Sequence, residues 1–167
     1  MTPTWKDAVR RGSIDELQHF LATGTDVDTR DEHGQTALML AAVDGHDHIV
    51  QWLVAHGAVL DHTAKYGLSA LMLAVVNGHV NIVRTLVRAG ANLGLRGTGA
   101  PGFAGKKALD LAIDRDDQEM VDILSHGRRD TSAIAPLMHG RGGDAGLSRP
   151  GQLLYAAGYD LRPGGTT

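Results

Sequence analysis

The chain contains no cysteine among its 167 residues. That absence excludes a disulfide framework, a thiolate metal site and a cysteine nucleophile, so the fold has to stand on packing alone. Aromatic residues are almost as scarce, at 4% of the chain. Any core must therefore be assembled from small and aliphatic side chains, which suits short helices set close together. No window approaches the roughly 18 apolar residues that a membrane-spanning helix needs. The opening MTPTWKDAVRRG also lacks the apolar stretch of a secretory signal, so a soluble cytoplasmic protein without membrane contact is expected. Clustered positive charge is missing as well. Residues 1–127 carry 11 Lys/Arg against 16 Asp/Glu, and residues 128–167 carry 5 against 3. An acidic body is a poor electrostatic footprint for nucleic acid.

What the chain does have is glycine, 22 residues of it, and repetition. Residues 34–52 read GQTALMLAAVDGHDHIVQW and residues 67–85 read GLSALMLAVVNGHVNIVRT, an offset of 33. Recurrence at a fixed period of this size is the signature of stacked repeat units. A hydrophobic content of 43% argues against disorder, and the length suits one domain with a tail.

Within the second unit, Ala37, Leu38, Leu40 and Ala41 recur at helical spacing, and Ile49, Val50, Leu53 and Val54 follow after Asp44-Gly45. Two short antiparallel helices joined by a tight glycine turn explain both sets. Thr36 is a suitable N-cap for the first helix, and His56-Gly57 closes the second. The third unit repeats the scheme, with Ser69 as cap, Leu71, Leu73 and Ala74 inside, then Ile82, Val83, Leu86 and Val87, closing at Ala89-Gly90. Backward extension by 33 places Trp5 at the Leu38 position, Gly12 at Gly45, Leu17 at Val50 and Gly24 at Gly57. Glu16 then stands where Ile49 and Ile82 stand, as expected of an end repeat facing water. Forward extension needs an offset of 38 and yields a fourth unit in GKKALDLAIDRDDQEMVDIL, with an enlarged loop in LGLRGTGAPGFAG before it.

The two strongest units, GQTALMLAAVDGHDHIVQWLVAHGA and GLSALMLAVVNGHVNIVRTLVRAGA, resemble the ankyrin repeat. The hallmarks stand as Gly34-Gln35-Thr36-Ala37-Leu38, Ala41-Ala42, Gly45-His46, Ile49-Val50 and Gly57-Ala58. Two departures matter. The usual Pro of the Thr-Pro-Leu-His run is Ala37 or Ala70, and its His is Met39 or Met72. The Thr-to-His hydrogen bonds of the family are then lost, and Met packing has to substitute. The resemblance implies an all-α ankyrin-repeat solenoid of about four stacked helix-turn-helix units with hairpin-like loops. The expected units are 1–30, 31–63, 64–101 and 102–127. Residues 128–160 read as a degenerate fifth repeat or irregular C-terminal cap and residues 161–167 as a flexible tail.

Several motifs invite sharper readings that do not stand up. Gly97-Thr98-Gly99-Ala100-Pro101-Gly102 matches a dinucleotide-binding loop, but such a loop needs a strand before it and a helix directly after it. His46-Asp47-His48 is the tightest histidine group, yet side chains two apart on a helix do not share a face. His33, His56, His62, His126 and His139 are scattered over different units. Neither Asp31-Glu32 nor Asp114-Arg115-Asp116-Asp117 can be joined to a nucleophile, a base and an oxyanion donor. Asp116-Asp117 aligns with Gly45-His46 and is expected to cap the last second helix. Trp5 is expected in the core and Trp52 partly covered on the back of the stack.

The family resemblance implies a concave face of loop tips and first-helix surfaces that binds partner proteins. On that face, scaffold rules leave free Arg10 and Arg11 in unit one and Glu32, His33, Gln35 and Asp44 in unit two. Unit three offers Lys65, Tyr66, Leu68 and Asn77, and unit four offers Phe103, Lys106 and Arg115. Tyr66, Leu68 and Phe103 are of the anchor type, large side chains at loop tips. The expectation is a non-enzymatic binding module, adaptor or inhibitor, with no cofactor or metal and monomeric when free. The alternative is a regulatory protein that binds a small molecule or nucleotide through the Gly-rich loop 97–105.

Overall fold

The structure is a computed structural model that describes residues 4–99 and 102–132. The expected C-terminal cap and tail, apart from residues 128–132, lie outside the described residues. Among the described residues are eight α-helices and one 3-10 turn, with no strand. They pair as α1 (Trp5–Arg11) with α2 (Ile14–Ala22), and α3 (Ala37–Asp44) with α4 (Asp47–Ala55). The next pairs are α5 (Ala70–Asn77) with α6 (Val80–Arg88), and α7 (Ala108–Asp114) with α8 (Gln118–Ser132). The first helices pack in the order α1, α3, α5, α7, and the second helices α4, α6 and α8 form the layer behind them. The result is an all-α solenoid.

Local chemistry sets the helix ends. The Thr36 hydroxyl accepts the Met39 N–H at 3.4 Å, and the Ser69 hydroxyl accepts the Met72 N–H at 3.3 Å. Each satisfies a donor that the first helical turn leaves open. Thr4 and Asp7 form a reciprocal capping box on α1. The turn inside each of the first three pairs requires left-handed backbone, and Gly12, Gly45 and Gly78 supply it with φ of 68°, 78° and 80°. In the fourth pair Asp116 takes this place with φ 56°, a conformation that a short polar side chain tolerates. Asp117 then accepts the Met120 N–H at 3.1 Å and caps α8. That helix runs on through Gly127 to Ser132, five residues beyond the unit boundary expected at 127.

The core is aliphatic. Leu38, Leu53, Ile49, Leu71, Ile82, Leu86 and Met120 are fully buried. Met39 and Met72, where the family carries histidine, are each 1% exposed and fill the space between units by packing. Trp5 is buried edge-to-face against Phe20 at 6.0 Å. Trp52 is half-buried and stacks on His56 at 4.0 Å.

Two polar ladders tie successive units together. His46 Nε2 donates to the Arg10 carbonyl at 2.7 Å, and His79 Nε2 to the Val43 carbonyl at 3.0 Å. In the fourth unit Arg115 donates to the Val76 carbonyl at 2.7 Å. Arg10, Val43 and Val76 recur at the repeat spacing, so one backbone acceptor per unit is served by the next unit. In the second ladder the Asp28 carboxylate accepts the Val59 N–H at 3.0 Å, and Asp61 accepts the Asn92 N–H at 2.8 Å.

Candidate functional site: loop tips and first helices

The tip of the second unit is built around Asp31. Its carboxylate accepts the backbone N–H groups of His33 and Gln35, both at 2.9 Å, which closes the turn. Lys6, reaching over from α1, donates to Asp31 at 2.9 Å and to Glu32 at 3.2 Å. Burial pushes the Asp31 carboxyl up, but the hydrogen bonds from Lys6, Gln35 and His33 outweigh it and hold it below the ordinary carboxylate range. The hydrogen bonds to Asp31 and Glu32 raise Lys6 above the ordinary lysine value. Glu32 and His33 are exposed beside this pair. Lys6 was not among the residues expected at the site. Its signal was a charged residue at the position where the next two units carry Met39 and Met72.

The third tip is the 3-10 turn Lys65–Gly67. Tyr66 sits there with φ 66° and is 43% exposed. Such backbone in a bulky residue costs on the order of 1 to 3 kcal/mol, so surrounding structure must hold it. The Thr98 N–H from the fourth loop donates to the Tyr66 carbonyl at 2.6 Å, and the Lys65 ammonium lies 5.0 Å from the ring centroid. Leu68 is half-buried against the core.

The Gly-rich loop of the fourth unit is closed by its own backbone. Gly97 donates to the Lys106 carbonyl and accepts from the Gly105 N–H, both at 2.9 Å. Arg96 donates to the Gly105 carbonyl at 2.6 Å. The Gly97 and Thr98 N–H groups are therefore taken, and the next helix begins only at Ala108. A phosphate cradle needs those donors free and a helix N-terminus directly behind them. Phe103 turns inward, half-buried against the core, and its carbonyl would lie 2.5 Å from a Cβ at position 97. Only glycine fits at Gly97.

The remaining expected residues are distributed along the row. Tyr66 and Leu68 share one tip, and Phe103 lies in the neighbouring loop. Lys106 pairs with Asp114 at 2.6 Å. Arg115 is engaged by the Val76 carbonyl, so its guanidinium serves the joint between units. Asn77 is exposed and folds back onto the Leu73 carbonyl at 2.8 Å. Asp44 is exposed, as are Arg10 and Arg11, which lie at the other end of the row, with Arg11 paired to Glu16. Gln35 is half-buried at the second tip. Among the described residues no group of three or more His, Asp or Glu side chains is arranged to hold a metal ion, and no helix is long and apolar enough to cross a membrane.

Comparison with known proteins identifies the repeat. A family model described as ankyrin repeats, in three copies, matches residues 6–97, which spans the first three helix pairs. No curated protein matches the chain significantly.

Proposed function

The chain belongs to the ankyrin-repeat family, whose repeats are protein–protein interaction modules, and from that premise we propose that it is a non-enzymatic adaptor or inhibitor. In this reading one partner protein is held by the loop tips and first helices of units two to four, and the free chain is a monomer. The observation that carries it is Tyr66, a large ring left 43% exposed on strained backbone that the neighbouring loop holds in place. A projecting aromatic on strained backbone, whose carbonyl the neighbouring loop uses while its ring stays exposed, supports a binding role.

The test is binding calorimetry with a partner captured on the immobilised chain. Tyr66→Ala is expected to weaken binding by more than roughly 2 kcal/mol. Phe103→Ala is read together with a melting curve, since that ring also packs inward. Gln51→Ala and Arg84→Ala, on the second helices, are expected to change binding by less than about 0.5 kcal/mol. Loss of binding in the second-helix pair with Tyr66→Ala silent would move the interface to the other layer and sink the proposal.

A further inference from the structure

The two ends of the stack are not alike. The first repeat carries Glu16, with its side chain 37% exposed, at the register position where the next two carry the buried Ile49 and Ile82, so that end presents a polar residue there. The fourth repeat is not finished in this way. Val9, Ala42 and Val75 share one register position on the three first helices that have a unit after them, and all three are 0% exposed. Ile113 occupies the same position in α7 and is 57% exposed. Leu109 and Val121 are half-buried where Leu71 and Val83 are 1% and 0% exposed. The fourth unit therefore has the outward face of an internal repeat, and an apolar face of that kind has to be covered by something.

We infer that the occupant is this chain's own segment 133–161, which docks on the face formed by Leu109, Ile113 and Val121 and completes the stack. Two observations select it over a separate molecule. The chain continues for 35 residues beyond the end of α8. Residues 154–161, LYAAGYDL, repeat the pattern of residues 53–60, LVAHGAVL, and 86–93, LVRAGANL, with leucine first and last and glycine fifth. In the two described cases the first leucine is 0% exposed, and the pattern closes a second helix onto the core.

The chain's lack of cysteine makes the test direct. In the full chain, the thiol introduced by Ile113→Cys is labelled with an uncharged maleimide and compared with that of Gln51→Cys, an exposed position on α4. The Ile113→Cys thiol is expected to react at least roughly tenfold more slowly, at a ratio that does not change on dilution. Adding Leu154→Asp or Leu161→Asp is expected to restore its rate. Far-UV circular dichroism confirms that the stack persists in each variant. Equal rates at the two positions overturn the inference, because the face is then open. Protection that disappears on dilution overturns it in favour of a second copy of the chain. Protection that survives both aspartate substitutions overturns the assignment to segment 133–161.

Discussion

Asp31 shows how one side chain serves both scaffold and surface. It closes the second loop by accepting two backbone N–H groups and anchors Lys6 from the preceding unit, with its own side chain 8% exposed. Removing it leaves those donors unmet, and Asp31→Ala is expected to cost about 1 to 3 kcal/mol in thermal or urea unfolding at pH 7. Its pH dependence has a definite sign. The folded carboxyl sits below the ordinary value, as do Asp7 and Glu32. Their contribution is therefore complete above the ordinary carboxylate range, about pH 4, and is lost as pH falls through the lower folded values. Lys6 acts in the opposite sense, with its contribution present below the ordinary lysine value and lost as pH rises through its higher folded value. Unfolding curves of the wild type and Asp31→Ala should thus converge as the pH is lowered below about 4. A constant gap down to pH 2 would show that the carboxylate's charge is not what the loop uses.

At the scale of the element, a helix pair is held less by its own hydrogen bonds than by its neighbours. Helices α3 and α5 are eight residues each, too short to persist alone in water. Leu71 is 1% exposed and lies on α5 in the helix row between α3 and α7. Leu71→Ala is expected to lower the unfolding free energy by about 2 to 5 kcal/mol, since the surrounding units cannot fully collapse into the cavity. Denaturant titration checks it, and an unchanged midpoint would refute the repeat register. The turns are equally constrained from outside. A Cβ at Gly45 would lie 2.7 Å from the His79 ring, so the left-handed turn of one unit also makes room for the histidine with which the next unit grips it.

For the whole molecule, stability follows from nearest neighbours, and the ends are the weakest part. Units two and three have a partner on each side, whereas unit one has a polar outward face and unit four an open apolar one among the described residues. Hydrogen exchange should therefore be slowest in α3 to α6 and faster in α1 and α2. The C-terminal pair discriminates further. Protection of α7 and α8 close to that of α5 and α6 is expected with the docked segment 133–161, and fraying like that of α1 is expected once Leu154→Asp removes it. Uniform exchange across all eight helices would mean that the stack opens only as a single unit.

Much of this was legible in the linear text because repetition turns one physical solution into several copies. Thr36 and Ser69 as caps, the glycine turns, the Asp116-Asp117 substitute for Gly-His and the burial of Trp5 all depend on residues close in sequence or on a register that recurs every 33 positions. The family followed from the same pattern and is shown by the match over residues 6–97. The tertiary structure decided what depends on distant partners. Lys6 meets Asp31 across 25 positions, and Arg115 reaches Val76 across 39 where the two histidines of the same ladder span 36, so the repeat period marks the acceptor Val76 but not these donors' partners. Phe103 turns inward and Tyr66 outward for a comparable reason. The fate of a loop side chain is set by which backbone groups close the loop, here Gly97 on Lys106 and Thr98 on Tyr66, and those contacts exist only after the units have stacked.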